Sequence, residues 1–364
     1  MKNFTLKNTT IAVIGSHSAL DVCRGAKDEG FKTLVIAEKG REKTYNQYYE
    51  TRDGKGCVDE CIVLDHFADI MDIQDHLQKR NVIFVPNRSF EAYLSFDYEK
   101  IEKQFVVPMF GNRYLLKIEE RGKRPNQYDL LTKAKIRFPI QFEKYEQIDR
   151  LCLVKVQEAK RKFERAFFFA KNPADYLNKA KKLLVEKKIS EEGLSNAVIE
   201  EYVAGVHVNF NFFYSSLTKE LELLGTDTRR QTNIEGLTHL PSFLQEDLQD
   251  MQIQFEEASH TAVTVLESML EQAFALGEQF VKASEALFAP GIIGPFALQS
   301  IIIPGPPKKD IVVIDVSPRM PGSPGIAATP YSGYLYGSSV SVGRRVAKEI
   351  KLAMKTKRLD QILS

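Results

Sequence analysis

Along the first hundred residues, apolar runs alternate with amphipathic ones. "TIAVIG" (Thr10 to Gly15) reads as a buried strand, Ala19 to Glu29 as an amphipathic helix stopped by Gly30, and "FKTLVIA" as a second strand. "CIVLDHF", a helical stretch from Ile70 to Gln78 and "NVIFVPN" continue the alternation. This order predicts a doubly wound α/β layer built on a parallel sheet. From about Arg113 to Ser195 the pattern changes. Glycine is absent between Gly122 and Gly193, and the short apolar runs "RLCLVKVQ" and "RAFFFAKN" bracket a basic stretch from Gln157 to Arg165. The spacing predicts a small α+β subdomain whose hairpin has a positive tip. Next, "AVIEEYVAGVHVNFNFFYS" passes from a short polar hinge into a strand with Val206, Val208, Phe210 and Phe212 on one face. "ELELLGTDTRR" is a further strand, Pro241 to His260 reads as an acidic surface insertion, and Thr264 to Leu287 as one long helix. That helix is expected to bury Leu266, Leu270, Phe274, Phe280 and Leu287. "GPFALQSIII" and "DIVVIDVSPR" form an antiparallel pair joined by Pro304 to Pro307. A glycine- and serine-rich loop and a terminal helix from Val342 to Thr356 complete the pattern.

Length and charge narrow the picture. At 364 residues the chain exceeds what one core normally fills, so two or three domains are expected. Hydrophobic residues make up 43% and charged residues 27%, the proportions of a soluble protein, with no apolar run of membrane-spanning length. "MKNFTLKNTT" lacks the apolar core of a secretory signal, and a cytoplasmic location is expected. Fifty basic against 48 acidic residues leave a net charge of +2, which argues neither for a nucleic-acid footprint nor for an acidic binding surface. Any anionic ligand must be held locally. Cys23, Cys57, Cys61 and Cys152 lack zinc-site spacing and are read as reduced structural thiols.

The candidate chemistry sits where strands end. Ser16, His17 and Ser18 follow the first strand and Asn87, Arg88 and Ser89 a later one, so both turns face the crevice where doubly wound sheets bind ligands. They suit a phosphate at a helix N-terminus, or Ser16 or Ser18 simply caps the helix. Gln299 and Asp315 lie on neighbouring strands and offer oxygens to Mg²⁺, with Arg319 in reach of a phosphoryl group; strand-end hydrogen bonds are the alternative. Lys155, inside "LCLVKVQ", either reaches a sheet edge or meets an anion.

The strings "IGSH", "VPNRSF", "VPMFGNR", "VKV", "IEEYVAG", "LLGTDTRRQTNIEGL", "GPFALQS" and "DVSPR", in this order over nearly the whole chain, resemble the archaeal PurP family. Its members are formate-dependent synthetases that formylate the purine intermediate AICAR and belong to the ATP-grasp superfamily. The resemblance implies an ATP-grasp fold with an N-terminal Rossmann-like pre-ATP-grasp domain at residues 1–120, a lid at 121–204 and a C-terminal domain at 205–364. It implies ATP and Mg²⁺ or Mn²⁺ as cofactors, and a homo-oligomer, trimer or hexamer, without nucleic-acid or membrane partners. It places the AICAR phosphate on His17 and Ser89 and the AICAR base or amine on Asn233. ATP would meet Lys155 through its phosphates and the hinge Glu200, Glu201, Tyr202 and Val203 through adenine. Gln299 and Asp315 match metal ligands, and Arg319 would be the catalytic charge. The implied reaction forms formyl phosphate from ATP and formate, then FAICAR by attack of the AICAR amine.

Three features depart from the family pattern. The lid hairpin "QEAKRKFER" has no glycine, so Lys160, Arg161, Lys162 and Arg165 stand where backbone amides would cradle phosphates. Asp315 occupies a position usually held by glutamate, and "PRMPGSPG" stiffens the loop beside the metal site. Two alternatives to the ligase follow: a paralogue that binds a purine-pathway nucleotide without formylating it, or an ATP-grasp ligase acting with another small carboxylate.

Overall fold

The computed structural model describes residues 4–16, 18–120, 124–156, 166–230, 239–245, 258–305 and 308–364. Strands β1 (Thr10–Ile14), β2 (Lys32–Glu38), β3 (Glu60–Leu64) and β4 (Val82–Phe84) form a parallel sheet in the order β3-β2-β1-β4. Every residue of β1 is buried because both its faces are covered. Ile11 and Val13 pack towards helix α1 (Ala19–Asp28), whereas Ala12 and Ile14 join a cluster with Phe67, Phe84 and Phe90. The doubly wound expectation is met in this layer. The helical stretch expected from Ile70 to Gln78 is broken into a tight turn, Phe67–Met71, and helix α2 (Gln74–Lys79). Gln74 fixes the break: its amide donates to Met71 O at 3.0 Å and its oxygen accepts from Val106 N at 2.6 Å. Helix α3 (Arg88–Tyr93) follows β4 and is capped by Asn87, whose Oδ1 accepts from Phe90 N at 3.2 Å.

Helix α4 (Gln127–Ala134) leads into the second sheet. Its strands, β5 (Gln141–Phe142), β6 (Cys152–Val156), β7 (Ala166–Ala170) and β8 (Val198–Glu201), pair antiparallel in the order β5-β8-β6-β7. Helix α5 (Pro173–Val185) covers one face, setting Tyr176 and Ala180 against Val154 and Phe168. The two apolar runs do form the expected β6-β7 hairpin, and its basic tip, 157–165, lies outside the described residues.

The third sheet is antiparallel, in the order β11-β10-β9-β12-β13: β9 (Val206–Ser215), β10 (Glu220–Arg230), β11 (Ser259–Ala262), β12 (Gly294–Ile303) and β13 (Asp310–Ser317). Two expectations are corrected here. Ser259 and His260, the end of the segment read as a surface insertion, belong to strand β11, while residues 246–257 of that segment lie outside the described residues; the long helix, α6 (Leu270–Leu287), starts six residues later than Thr264. The intervening chain is held extended, Val263 N donating to Thr226 O at 3.2 Å and Val265 N to the Tyr331 hydroxyl at 2.9 Å. Leu266 is therefore 55% exposed, while Phe280 of α6 is fully buried.

Helix α7 (Val342–Thr356), last in sequence, returns to the first sheet. It crosses α1 at glycines: a Cβ on Gly25 would lie 2.1 Å from Arg344 N, and one on Gly343 would lie 2.2 Å from Asp21 O. Its other side reaches the third sheet through Arg345, which is bidentate to Glu222 at 2.8 Å and bonds Glu349 at 2.9 Å. Among the described residues no helix is long and apolar enough to cross a membrane.

Candidate active site

The third sheet has one greasy face and one polar face. Val208, Phe210 and Phe212 pack with α6, so the alternation of β9 sends Asn209 and Asn211 to the opposite side. Strand register then aligns four polar residues across neighbouring strands: Asp227 opposite Asn209, Asn209 opposite Gln299, and Gln299 opposite Asp315. A bulge beside Gln299 leaves Ile314 unpaired and keeps Gln299 and Asp315 in register on this face. Gln299 Nε2 donates to Ser317 Oγ at 3.1 Å. An amide oxygen and a half-buried carboxylate side by side are hard oxygen donors, the type Mg²⁺ accepts when substrate phosphates complete its shell. Among the described residues no group of three His, Cys, Asp or Glu is arranged to hold a metal, so any ion here would rely on such mixed ligands. The donor set fits Mg²⁺.

Across the site, Lys155 is buried on an inner strand of the second sheet and pairs with Glu200 of β8, whose other oxygen accepts from the Tyr128 hydroxyl at 3.1 Å. Of the two readings of this lysine, the structure shows the one in which it meets an anion, here a carboxylate of its own chain. Tyr128 stands at the start of α4, and its neighbour Gln127 accepts from Val316 N at 2.9 Å. One helix end thus spans from the strand position next to Asp315 to the strand carrying Glu200. The hinge after β8 is anchored on its main chain, with Glu201 N bonded to Ile140 O at 2.9 Å and Tyr202 N to Leu151 O at 2.8 Å. The Glu201 carboxylate accepts from Ile140 N at 3.2 Å, Tyr202 is 43% exposed, and Val203 is half-buried.

The two polar turns of the first sheet are joined directly. Asn87 Nδ2 donates to Ile14 O at 3.1 Å and Ser16 O at 3.3 Å, and Asn87 pairs with Met320 in a parallel bridge. Ser89 is buried at the start of α3, while His17 and Asn233 lie outside the described residues. Ser18 is the N-cap residue of α1, but its side chain makes no capping bond; its hydroxyl donates instead to Pro321 O. The proline-rich loop after β13 therefore closes over both turns. Arg319 at its root is buried, with Nη2 3.2 Å and Nε 3.1 Å from the Glu119 carboxylate, Nη1 donating to Met320 O at 3.0 Å, and Nε 3.6 Å from Glu91. Arg88 shares the same carboxylates, at 2.9 Å from Glu119 and 3.6 Å from Glu91. Burial opposes the Arg88 cation, but Glu119 and Glu91 outweigh it and raise its pKa. Burial, with Glu119 beside it, pushes the Glu91 carboxyl up to about 8.

Two family models match the chain, described as a protein of unknown function (DUF1246) over residues 11–142 and a domain of unknown function (DUF1297) over residues 175–364. The 5-formaminoimidazole-4-carboxamide-1-(beta)-D-ribofuranosyl 5'-monophosphate synthetase of Methanobrevibacter smithii is 35% identical over 368 residues, covering 100% of this chain and 97% of that protein. The crystal structure of an IMP biosynthesis protein PurP from Thermococcus kodakaraensis superposes with a TM-score of 0.71 at 28% identity, covering 97% of this chain and 100% of that one. The chain belongs to the PurP family. The PurP fold is ATP-grasp, shared at 14% identity and a TM-score of 0.61 with the biotin carboxylase domain of a Hydrogenobacter thermophilus 2-oxoglutarate carboxylase solved with MgADP, ADP and bicarbonate. That match covers 93% of this chain and 69% of the carboxylase domain.

Sequence reasoning overlooked four residues of the polar face of this PurP chain. Asn209 and Asn211 were legible as the off-beat positions of "VNFNF", and Asp227 as the acid that follows the apolar run of "LLGTD". His260 had no local signal, because it ends the segment read as an insertion. In the structure Asn209 Nδ2 donates to Asp227 Oδ2 at 2.9 Å, Asn211 Nδ2 donates to Oδ1 at 2.7 Å, and His260 Nδ1 stands 2.6 Å from Oδ2.

Proposed function

We propose that this protein uses ATP and formate to formylate AICAR to FAICAR, in IMP biosynthesis, through formyl phosphate. The observation that carries the reading is the aligned polar row on one sheet face, ending in Gln299 and Asp315, in a chain related to formaminoimidazole-carboxamide nucleotide synthetases along its full length. Gln299 and Asp315 would hold Mg²⁺, which when bound neutralises charge on the ATP phosphates. Lys155, oriented by Glu200, would face those phosphates, and the main chain from Glu200 to Val203 would border adenine. His17 and Ser89 would hold the AICAR 5'-phosphate at the joined turns, with Asn233 on the base or its amine. Arg319, bonded to Glu119 at the root of the loop after β13, would be the catalytic charge beside the transferring phosphoryl group. Phosphoryl transfer asks mainly for such positioning and charge neutralisation, and no protein nucleophile is needed.

The reading includes a cytoplasmic homo-oligomer, trimer or hexamer. The glycine-free segment 157–165 and the aspartate at 315 favour a second reading, a PurP paralogue that binds the nucleotide without formylating it. Incubation with ATP, Mg²⁺, formate and AICAR decides. ADP released together with a formyl-sized mass gain on AICAR is expected. AICAR binding without product would replace the ligase by the paralogue, and product with another carboxylate alone would change the substrate.

A further inference from the structure

On the reading of Gln299 as an Mg²⁺ ligand, we propose that Ser317 is its positioning residue: the Ser317 hydroxyl accepts the amide N–H that must turn into the sheet when the amide oxygen takes the cation. Mg²⁺ takes oxygen ligands, so a glutamine serves it only through Oε1. The NH₂ group is then directed away from the ion, and here that direction is buried, with Gln299 7% exposed and Ser317 3%. A buried N–H left without an acceptor costs more than an ordinary hydrogen bond returns. Ser317 Oγ, 3.1 Å from Nε2, is the acceptor.

Strand register explains why that acceptor stands at 317. The bulge that keeps Gln299 opposite Asp315 leaves Ala297 opposite Ser317, so Ser317 is the diagonal neighbour of Gln299 on the same face of the sheet. The side chain at 297 is only a methyl group, short enough for the Gln299 amide to reach across to the serine. On the other flank Asn209 lies opposite Gln299 on β9, but its amide is given to Asp227 Oδ2 at 2.9 Å. The Gln299 nitrogen is thus engaged within the sheet, while its oxygen has no hydrogen-bond donor among the described residues. That is the division a metal-ligating amide needs, with the nitrogen tied to an outer partner and the oxygen kept for the ion. Outer partners of this kind commonly change metal affinity by about 10- to 100-fold when removed.

A polar pair serving only the strand face predicts a different result. Cutting back Ser317 would then lower stability and leave the response to the ion unchanged. The two roles separate in a binding measurement that needs no turnover.

The test follows binding of AMP-PNP, a non-hydrolysable ATP analogue, by titration calorimetry in Mg²⁺ and in EDTA. The wild type is expected to bind it more tightly in Mg²⁺. Ser317→Ala is expected to lose about 10-fold in affinity in Mg²⁺, while its affinity in EDTA stays within about twofold of wild type. Gln299→Glu supplies the decisive background, because an ionised carboxylate has no N–H to satisfy and offers an oxygen whichever way it turns. Adding Ser317→Ala to Gln299→Glu is expected to change the affinity in Mg²⁺ by less than about threefold. A Ser317→Ala affinity within about threefold of wild type in Mg²⁺, an equal loss in Mg²⁺ and EDTA, or an equal loss in both backgrounds overturns the proposal, as does a Gln299→Glu protein that gains nothing from Mg²⁺. Ser317→Cys, whose sulfur is a weak acceptor, carries the alanine variant's expectations should that variant fail to fold. A wild type with the same affinity in Mg²⁺ and EDTA would end the reading of Gln299 as a metal ligand itself, before any variant is compared.

Discussion

At the scale of single residues, the site depends on pairs that cannot be halved. Asp315 stands opposite Gln299, and asparagine at 315 would keep the shape while removing the negative charge a cation requires. Asp315→Asn is expected to reduce both ADP and FAICAR formation at least about 10²-fold while leaving AICAR affinity within about twofold, read by turnover and by titration calorimetry. Lys155 and Glu200 form a buried pair, and removing one charge strands the other. Lys155→Met should therefore cost about 3 kcal/mol in urea unfolding, and Glu200→Gln added to it should restore much of the loss. Equal melts for the single and double variants would show that the pair is not what holds these strands.

The elements show how much was legible beforehand. Strand β9 and helix α7 emerge where apolar period two and period 3.6 predict them, because each buries most of one face, with Val206 at the start of β9 left 66% exposed. The antiparallel β12-β13 pair followed from two apolar strands around a proline-rich turn. Helix α6 was overextended because Leu266 continues its period, whereas the Thr226 carbonyl and Tyr331 hydroxyl hold the preceding chain extended. Those partners lie 37 and 66 residues from the amides they bind, beyond any local pattern. Of the candidate site, Gln299 and Asp315 were found from strand pairing, but the dyad of Asp227 and His260 exists only through long-range register. The crossing of α1 and α7 is equally hidden, since Gly25 and Gly343 read as weak helix positions. Their lack of a Cβ is what lets the two backbones touch. Gly25→Val is expected to lower stability by about 3 kcal/mol in urea melts and to reduce soluble yield. A melt within about 0.5 kcal/mol of wild type would mean the helices can separate freely.

At the scale of the whole molecule, the N-terminal layer and the loop after β13 are joined by a buried ionic cluster. Arg88 and Glu91 come from α3, Glu119 from the turn Arg113–Glu119, and Arg319 from the loop. Tyr98 adds its hydroxyl to Glu91 at 3.0 Å. With Glu91 raised to about 8 by burial and by Glu119, the folded protein keeps a proton that the unfolded chain loses near its ordinary 4.5. More protons bound in the folded state means stability falls as pH rises. The contribution is complete below about 4.5 and is lost towards and through about 8, with a slope of at most about 1.4 kcal/mol per pH unit. Glu91→Gln, which preserves shape and cannot ionise, should flatten that slope between pH 5.5 and 7.5 in urea melts, a difference of at most about 2.5 kcal/mol over the window. Its Tm should exceed that of the wild type most at the higher pH, where the native carboxyl is closest to losing its proton. Parallel pH dependence in the two proteins would place the titration on another group of the cluster. A flattened curve would instead identify the junction between the nucleotide-facing turns and the closing loop as the part of the fold that loosens first in alkali.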